Sequence, residues 1–161
     1  MSEEKSRDAD FNKLIREMFH AERWEDRVEA VRSLGYIQDG RAVNLMVKAL
    51  IKEYNFNVIN HLIEALGRIG NPKATRAILE RLNKEQTMDY PNKYRIITII
   101  ESLMRIKDKR ALAYISSFLN SEDEEIKELT IQAFNIIEPN WREILRKENK
   151  EKNLEEIFGK L

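Results

Sequence analysis

The stretch ALGRIGNPKA, Ala65 to Ala74, decides the fold because versions of it recur along the chain. The other copies are SLGYIQDGRA from Ser33, SLMRIKDKRA from Ser102 and a weaker copy, AFNIIEPNWR, from Ala133. The second residues of the copies are large and apolar, and they are spaced by 32, 37 and 31 residues: Leu34, Leu66, Leu103 and Phe134. A period of this length is typical of stacked helical pairs, since one pair cannot bury its apolar face alone.

Each copy joins two helices, which we call A and B. Helix A precedes the turn and has apolar residues at helical spacing, as in Ile59, Leu62, Ile63, Leu66 and Ile69. Helix B follows the turn, and its residues align in columns: Ala42 with Ala74 and Ala111, Met46 with Ile78 and Ile115, and Leu50 with Leu82 and Leu119. The sequence therefore predicts an all-α solenoid of about four helical pairs.

We expect residues 1–8 to be a disordered lead-in and residues 9–161 to form one domain, with repeats near 23–54, 56–85, 92–120 and 122–150. A helix containing Leu14 and Ile15 is predicted to cap the first end of the array. A closing helix is predicted from Trp141. The last apolar residues, Leu154, Ile157, Phe158 and Leu161, either seal the open end or dock elsewhere.

The turns between A and B carry recognisable capping residues. Asp39, Asn71 and Asp108 are placed to accept hydrogen bonds from the first free N–H groups of helix B. Gly35, Gly67 and Gly70 lie near the ends of the A helices, where a left-handed residue or a close helix crossing is needed. The cations Arg41, Lys73 and Arg110 are predicted to reach the acidic residue of a neighbouring turn.

This column pattern resembles the HEAT repeat, in particular the short PBS-lyase-type HEAT-like variety, over about Trp24 to Ile137. The third copy departs from it at Met104 and the fourth at Pro139 and Trp141. The resemblance implies a right-handed α-solenoid with capping helices, and it allows a bilin-lyase-like chaperone role as a distant alternative. The HEAT-like deoxyhypusine hydroxylases, with iron ligands in repeated His-Glu pairs, are excluded because no His-Glu pair occurs here.

Composition narrows the function classes. The chain has 161 residues, 28 basic and 28 acidic, so no overall field draws it to nucleic acid or membranes. There is no Cys, and no apolar run approaches the roughly 18 residues of a membrane span. We therefore expect a cytoplasmic protein that does not bind membranes. The oligomeric state stays open.

No catalytic constellation is recognisable, so we predict a protein that is not an enzyme, with no cofactor and no metal. The only histidines are His20 and His61, and phosphate loops, deaminase signatures and nucleophile elbows are all missing from the sequence. His61 is interpreted as an ordinary, partly packed helix residue.

We predict a protein–protein interaction scaffold that uses the B-helix face turned away from helix A. The partner-binding residues predicted on this face are Asn44, Val47, Lys48, Ile51, Arg76, Leu79 and Glu80. The apolar members of the set could instead pack sideways between adjacent B helices. The insertion from Asn83 to Asn92 places Tyr90 and Pro91 in a loop that either contacts a partner or is a tolerated surface extension.

The alternative function is nucleic-acid binding along a basic edge formed by the A-to-B turns. Its residues are Arg41, Arg68, Lys73, Arg105, Lys107, Lys109 and Arg110. A clustered set of cations is what a phosphate backbone needs. The same charges at the ends of A helices are also explained by the helix dipole, which favours cations there.

Overall fold

The fold is described from a computed structural model, in which residues 2–147, 158 and 159 are described. These residues form nine α-helices and no β-strand. The helices are α1 (Glu3–His20), α2 (Trp24–Ile37), α3 (Val43–Lys52), α4 (Phe56–Ile69), α5 (Thr75–Gln86), α6 (Lys93–Ile106), α7 (Leu112–Ile115), α8 (Glu124–Ile137) and α9 (Trp141–Lys147). The prediction of an all-α solenoid of helical pairs is confirmed.

The A helices α2, α4, α6 and α8 pack against one another in chain order and form one layer. The repeated leucines Leu34, Leu66 and Leu103 are all fully buried, and Phe134 is fully buried at the fourth copy. Equivalent residues therefore occupy equivalent places in one continuous core. This is the behaviour expected of an array whose units bury their apolar faces only against their neighbours.

The B helices of the first three repeats each begin with one turn of 3₁₀-helix, at Gly40–Ala42, Pro72–Ala74 and Lys109–Ala111. The third B helix departs from the regular α-helix that its columns predict. Its α-helical part is only α7, and Ser116–Asn120 continues as 3₁₀-helix. The hydroxyl of Ser116 donates to the carbonyl of Ala113 at 2.9 Å, and such local side-chain bonds compete with the α-helical ladder.

The disordered lead-in predicted for residues 1–8 is wrong for the described part of that segment, because α1 begins at Glu3. Glu3 and Glu4 lie in the first turn of α1, where the helix dipole favours negative charge. Asp8 is also held by Arg41, at 3.0 Å. Helix α1 packs against α2 and α3, so it covers the first end of the stack as predicted.

Aromatic side chains close the other end. The ring of Trp141 meets that of Phe134 edge-on at 5.0 Å, and its indole N–H donates to Asn135 at 2.9 Å. Phe158 also meets Phe134 edge-on, at 6.4 Å, and packs against the core. Phe158 therefore helps to seal the stack. The other members of the predicted C-terminal cluster, Leu154, Ile157 and Leu161, lie outside the described residues, as do residues 148–150 of the fourth predicted repeat.

A network of charged residues joins the repeats at the edge where each B helix leads to the next A helix. Arg27 of α2 makes a bidentate pair with Glu53, with N···O distances of 3.0 and 3.2 Å. Burial raises the pKa of Glu53, but hydrogen bonds from Arg27 and from the amides of Asn55 and Tyr54 outweigh burial, so the net pKa is lowered. Arg81 donates to the carbonyls of Leu50 and Glu53. The guanidinium of Arg81 therefore satisfies carbonyls at the end of α3.

Candidate binding surfaces

The A-to-B turns are built as predicted. The side chains of Asp39, Asn71 and Asp108 accept hydrogen bonds from the amides two residues later, at 2.9, 2.9 and 3.1 Å. The residue before each cap is left-handed, with φ of 54° at Gln38, 75° at Gly70 and 60° at Lys107. The three turns therefore share one construction, a left-handed residue followed by a capping side chain.

The first cation of the basic edge is neutralised within its own turn, which corrects the prediction that it reaches a neighbouring one. Arg41 pairs with Asp39 at 2.7 Å and with Asp8 of α1 at 3.0 Å. The hydrogen bonds from the guanidinium hold the pKa of Asp39 below its usual value.

The third turn repeats this arrangement. Arg110 pairs with Asp108 at 2.8 Å, again within its own turn. Burial raises the pKa of Asp108, but the hydrogen bonds from Arg110 lower it. The combined effect of the hydrogen bonds is the larger, so the net pKa is below the usual value. The adjacent Lys109 pairs with Glu138 at 2.5 Å. Much of the charge counted along this edge is therefore balanced by carboxylates.

Arg68 lies between two partners. Its guanidinium is 4.3 Å from the centre of the Tyr36 ring and 3.5 Å from a carboxylate oxygen of Glu64. The remaining members of the basic edge, Lys73, Arg105 and Lys107, are exposed, and none of the ion pairs between described residues includes them. These three cations are the part of the basic edge that retains uncompensated charge.

The predicted partner-binding residues divide by burial. Asn44, Lys48, Arg76 and Glu80 are exposed and polar, and Ile51 is an apolar side chain with 57% of its surface exposed. Val47 is half-buried against the core, and Leu79 is a core residue with only 6% exposure. Val47 and Leu79 therefore belong largely to the core, whereas Ile51 stays exposed, and the choice between partner binding and sideways packing remains a prediction.

A groove runs between α5 and the third B helix. It has a volume of about 420 Å³ and is lined by Arg76, Leu79, Glu80, Asn83, Lys84 and Tyr114. The structure thus brings together the second-repeat members of the predicted set. The first-repeat members, Asn44, Val47, Lys48 and Ile51, lie on α3 and do not line this groove.

Lys84 and Tyr114 were not predicted as binding residues. Tyr114 occupies the column of Leu45 and Ala77, so it is the one aromatic residue of that column. This single aromatic residue is the feature of the sequence that could have indicated Tyr114 as a binding residue. Tyr114 lies in α7, the four-residue α-helical part of the third B helix, and its 36%-exposed side chain lines the groove.

The insertion between α5 and α6 forms a loop at the opposite edge from the turns. Tyr90 is 92% exposed, whereas the carboxylate of Glu85 is buried and accepts a hydrogen bond from the amide of Asn92 at 2.5 Å. The base of the loop is therefore fixed while its tip is open to solvent. Both interpretations of the loop, as a partner contact and as a surface extension, remain predictions.

Within residues 2–147 and 158–159, no group of three or more metal-ligating side chains is placed to hold an ion. The histidine His61 of α4 lies 3.6 Å from Glu64 and is half-buried. Among the helices of this same part of the chain, none is long and apolar enough to cross a membrane.

The protein is an α-solenoid. Its helical pairs stack around a shared core, its A helices pack against one another, and its A-to-B turns are capped. Residues 11–90 match the family described as HEAT repeats. The chain is therefore a HEAT-repeat protein. It is also similar to the bilin biosynthesis protein PecE of Mastigocladus laminosus, with 27% identity over 101 residues. That match covers 63% of this chain and 35% of PecE, so the chain corresponds to about a third of that relative's length.

Proposed function

We propose that this chain is a non-enzymatic protein-interaction scaffold and that a partner binds in the groove between α5 and α7. The observation that carries the proposal is the groove itself, which the largely buried Leu79 and the partly exposed Tyr114 line beside the exposed charges of Arg76 and Lys84. HEAT arrays present rigid surfaces of this kind, and an apolar centre with a polar rim is the usual make-up of a protein interface.

The charges of the groove indicate what kind of segment it accepts. Arg76 lies 3.8 Å from Glu80 across one helical turn, whereas Lys84 takes part in no ion pair between described residues. An incoming helix or extended segment could place one apolar side chain against Tyr114 and a carboxylate near Lys84. Ile51 and Lys48 on α3 lie on the preceding B helix and would extend the contact.

The proposal is tested by affinity capture from the organism's own lysate, followed by mass spectrometry. Wild type is compared with Arg76→Glu combined with Lys84→Glu, and with Tyr114→Ala. Both variants are expected to lose a protein that wild type retains. The matched control is Arg105→Glu, which reverses an exposed charge on the turn edge, and this variant should retain the protein. Equal capture by all four proteins contradicts binding at this groove.

Nucleic-acid binding along the basic edge is the second candidate, supported by the exposed side chains of Lys73, Arg105 and Lys107. A gel-shift with duplex DNA and RNA at 50 and 200 mM salt tests it, because binding through phosphates weakens steeply over this range. A shift that is absent at low salt, or that does not depend on salt, contradicts this candidate.

A bilin-related role is a third candidate, and it is supported only by the similarity to PecE. It predicts that a bilin added to the purified chain changes its absorption spectrum and becomes protected from solvent. A spectrum identical to that of the free pigment contradicts it.

A further inference from the structure

A second cavity lies on the outer surface of the A-helix layer, between α2 and α4. It has a volume of about 260 Å³ and is lined by Arg32, Tyr36, His61, Glu64, Ala65 and Arg68. It is separate from the groove between α5 and α7, since the two share no lining residue. Two arginines and a histidine therefore border one small recess that the scaffold role does not use.

Contacts within and between the two helices hold the recess in shape. The Arg68 guanidinium is 4.3 Å from the centre of the Tyr36 ring, and the backbone carbonyl of Arg68 accepts a hydrogen bond from Gln38 at 2.8 Å. The floor is Ala65, which is buried where Gly35 of α2 passes closely. A guanidinium stacked on an aromatic ring keeps the N–H groups of its edge free to donate. Arg68 is thus held in place before any ligand arrives.

The charges of the recess favour an anion. Arg32 and Arg68 contribute two positive charges against the single carboxylate of Glu64, and none of the ion pairs between described residues involves Arg32. Glu64 is shared, since it lies 3.5 Å from Arg68 and 3.6 Å from His61. The recess therefore keeps an excess of positive charge at neutral pH without counting the imidazole.

The repeat supplies an internal comparison. Residues that the fold requires recur at equivalent positions of each copy. The set of residues that lines the recess does not recur, since Arg32 aligns with Glu64 and Glu101, and Tyr36 aligns with Arg68 and Arg105. His61 aligns with Thr98. At the corresponding positions between α4 and α6, the sequence has two arginines and two glutamates, whose charges cancel: Arg68, Arg105, Glu64 and Glu101. Neither stacking nor capping requires the cationic set found between α2 and α4.

We propose that this recess binds a phosphate-type oxyanion, either inorganic phosphate or the phosphate of a phosphomonoester. The planar donor forks of Arg32 and Arg68 match tetrahedral oxyanions, and the volume suits one such group with a few waters. A free phosphorylated metabolite and a phosphorylated serine on a partner share this chemistry.

The test is an NMR titration of the full chain with inorganic phosphate and, separately, with O-phosphoserine, at constant ionic strength set with chloride. The amides and arginine side chains around the recess are expected to shift in a saturable manner. Arg32→Gln and Arg68→Gln should each weaken binding by about two- to fivefold, as expected for one partly exposed charge pair. Glu64→Gln should tighten binding by a similar factor, because it removes the competing carboxylate.

The matched control is Arg16→Gln, which removes an exposed arginine of α1 that lies outside the recess, the groove and the basic edge and should leave the affinity unchanged. Tighter binding by Glu64→Gln is a gain that damage to the fold cannot produce. The proposal is overturned if phosphate causes no saturable shift, if Glu64→Gln fails to tighten binding, or if Arg16→Gln weakens it as much as Arg68→Gln. If phosphate binds at the recess, the two affinities identify the source of the phosphate. Tighter binding of O-phosphoserine than of inorganic phosphate indicates a phosphorylated side chain, and equal affinities indicate free phosphate.

Discussion

Gly35 of α2 meets Ala65 of α4 so closely that a Cβ atom at Gly35 would lie 2.8 Å from the Cβ of Ala65. The next interface repeats the relationship, because a Cβ at Gly67 would lie 2.7 Å from both the Cα and the Cβ of Ser102. Each contact joins the glycine of one copy to the small residue that opens the next copy. The consensus therefore encodes the spacing between A helices.

Replacing Gly67 with Ala is expected to destabilise the protein by about 1–3 kcal/mol, since the new methyl group must displace backbone atoms of α6. The gain in helix propensity, about 1 kcal/mol, offsets only part of this cost. Chemical denaturation measures the difference. The control is Gly40→Ala, where a Cβ would have no neighbour within 4 Å. Equal stability of the two variants would contradict the close crossing.

Replacing Ala74 with Leu is expected to cost about 1–3 kcal/mol, because Ala74 is completely buried at the start of the second B helix and a larger side chain would overpack the core there. A thermal melt detects the loss. The control is Ala9→Leu on the exposed surface of α1, which should change the free energy of unfolding by less than about 0.5 kcal/mol. An unchanged melting temperature for the buried substitution would count against the predicted A–B pairing.

Replacing Glu53 with Gln is expected to lower the free energy of unfolding at pH 7 by about 1–3 kcal/mol, because the carboxylate is only 11% exposed and its charge is held by Arg27. The pKa of Glu53 is lowered on folding, so its contribution is present above the ordinary value of 4.5 and is lost as pH falls through the folded value. The variant should therefore lose less stability than wild type between pH 6 and pH 3.

The comparison for that experiment is Glu25→Gln, which removes an exposed carboxylate 3.7 Å from Arg23. Exposed pairs contribute little, so this variant should follow the wild-type pH profile. Parallel pH profiles for Glu53→Gln and wild type would show that the Arg27–Glu53 pair does not couple folding to pH.

Replacing Phe158 with Ala is expected to destabilise the protein by roughly 1–3 kcal/mol, less than for a fully buried phenylalanine, because the ring packs on Phe134 at the end of the stack. Tyr90→Ala is the control, since that side chain is 92% exposed in the insertion loop. If both variants unfold at the same denaturant concentration as wild type, Phe158 does not seal the array.

Much of the fold could be predicted because its determinants are local and repeated. Leu34, Leu66 and Leu103 share a column and are all buried, and Asp39, Asn71 and Asp108 all cap their turns. The candidate surfaces were harder to predict. The pairing of Arg41 with Asp8 joins residues far apart in the chain, and the groove brings Tyr114 of α7 beside residues of α5.

By itself, the sequence determined the all-α class, the HEAT-like repeat, the positions of the turns and the residues of the core, since helical periodicity and capping chemistry act over a few residues and recur in every copy. Only the tertiary structure decided which charges are neutralised, which apolar side chains remain exposed, and which residues from different helices share a recess. Those properties depend on distances across the stack, as between Arg68 and Tyr36 or between Leu79 and Tyr114, and such distances follow from packing rather than from spacing along the chain.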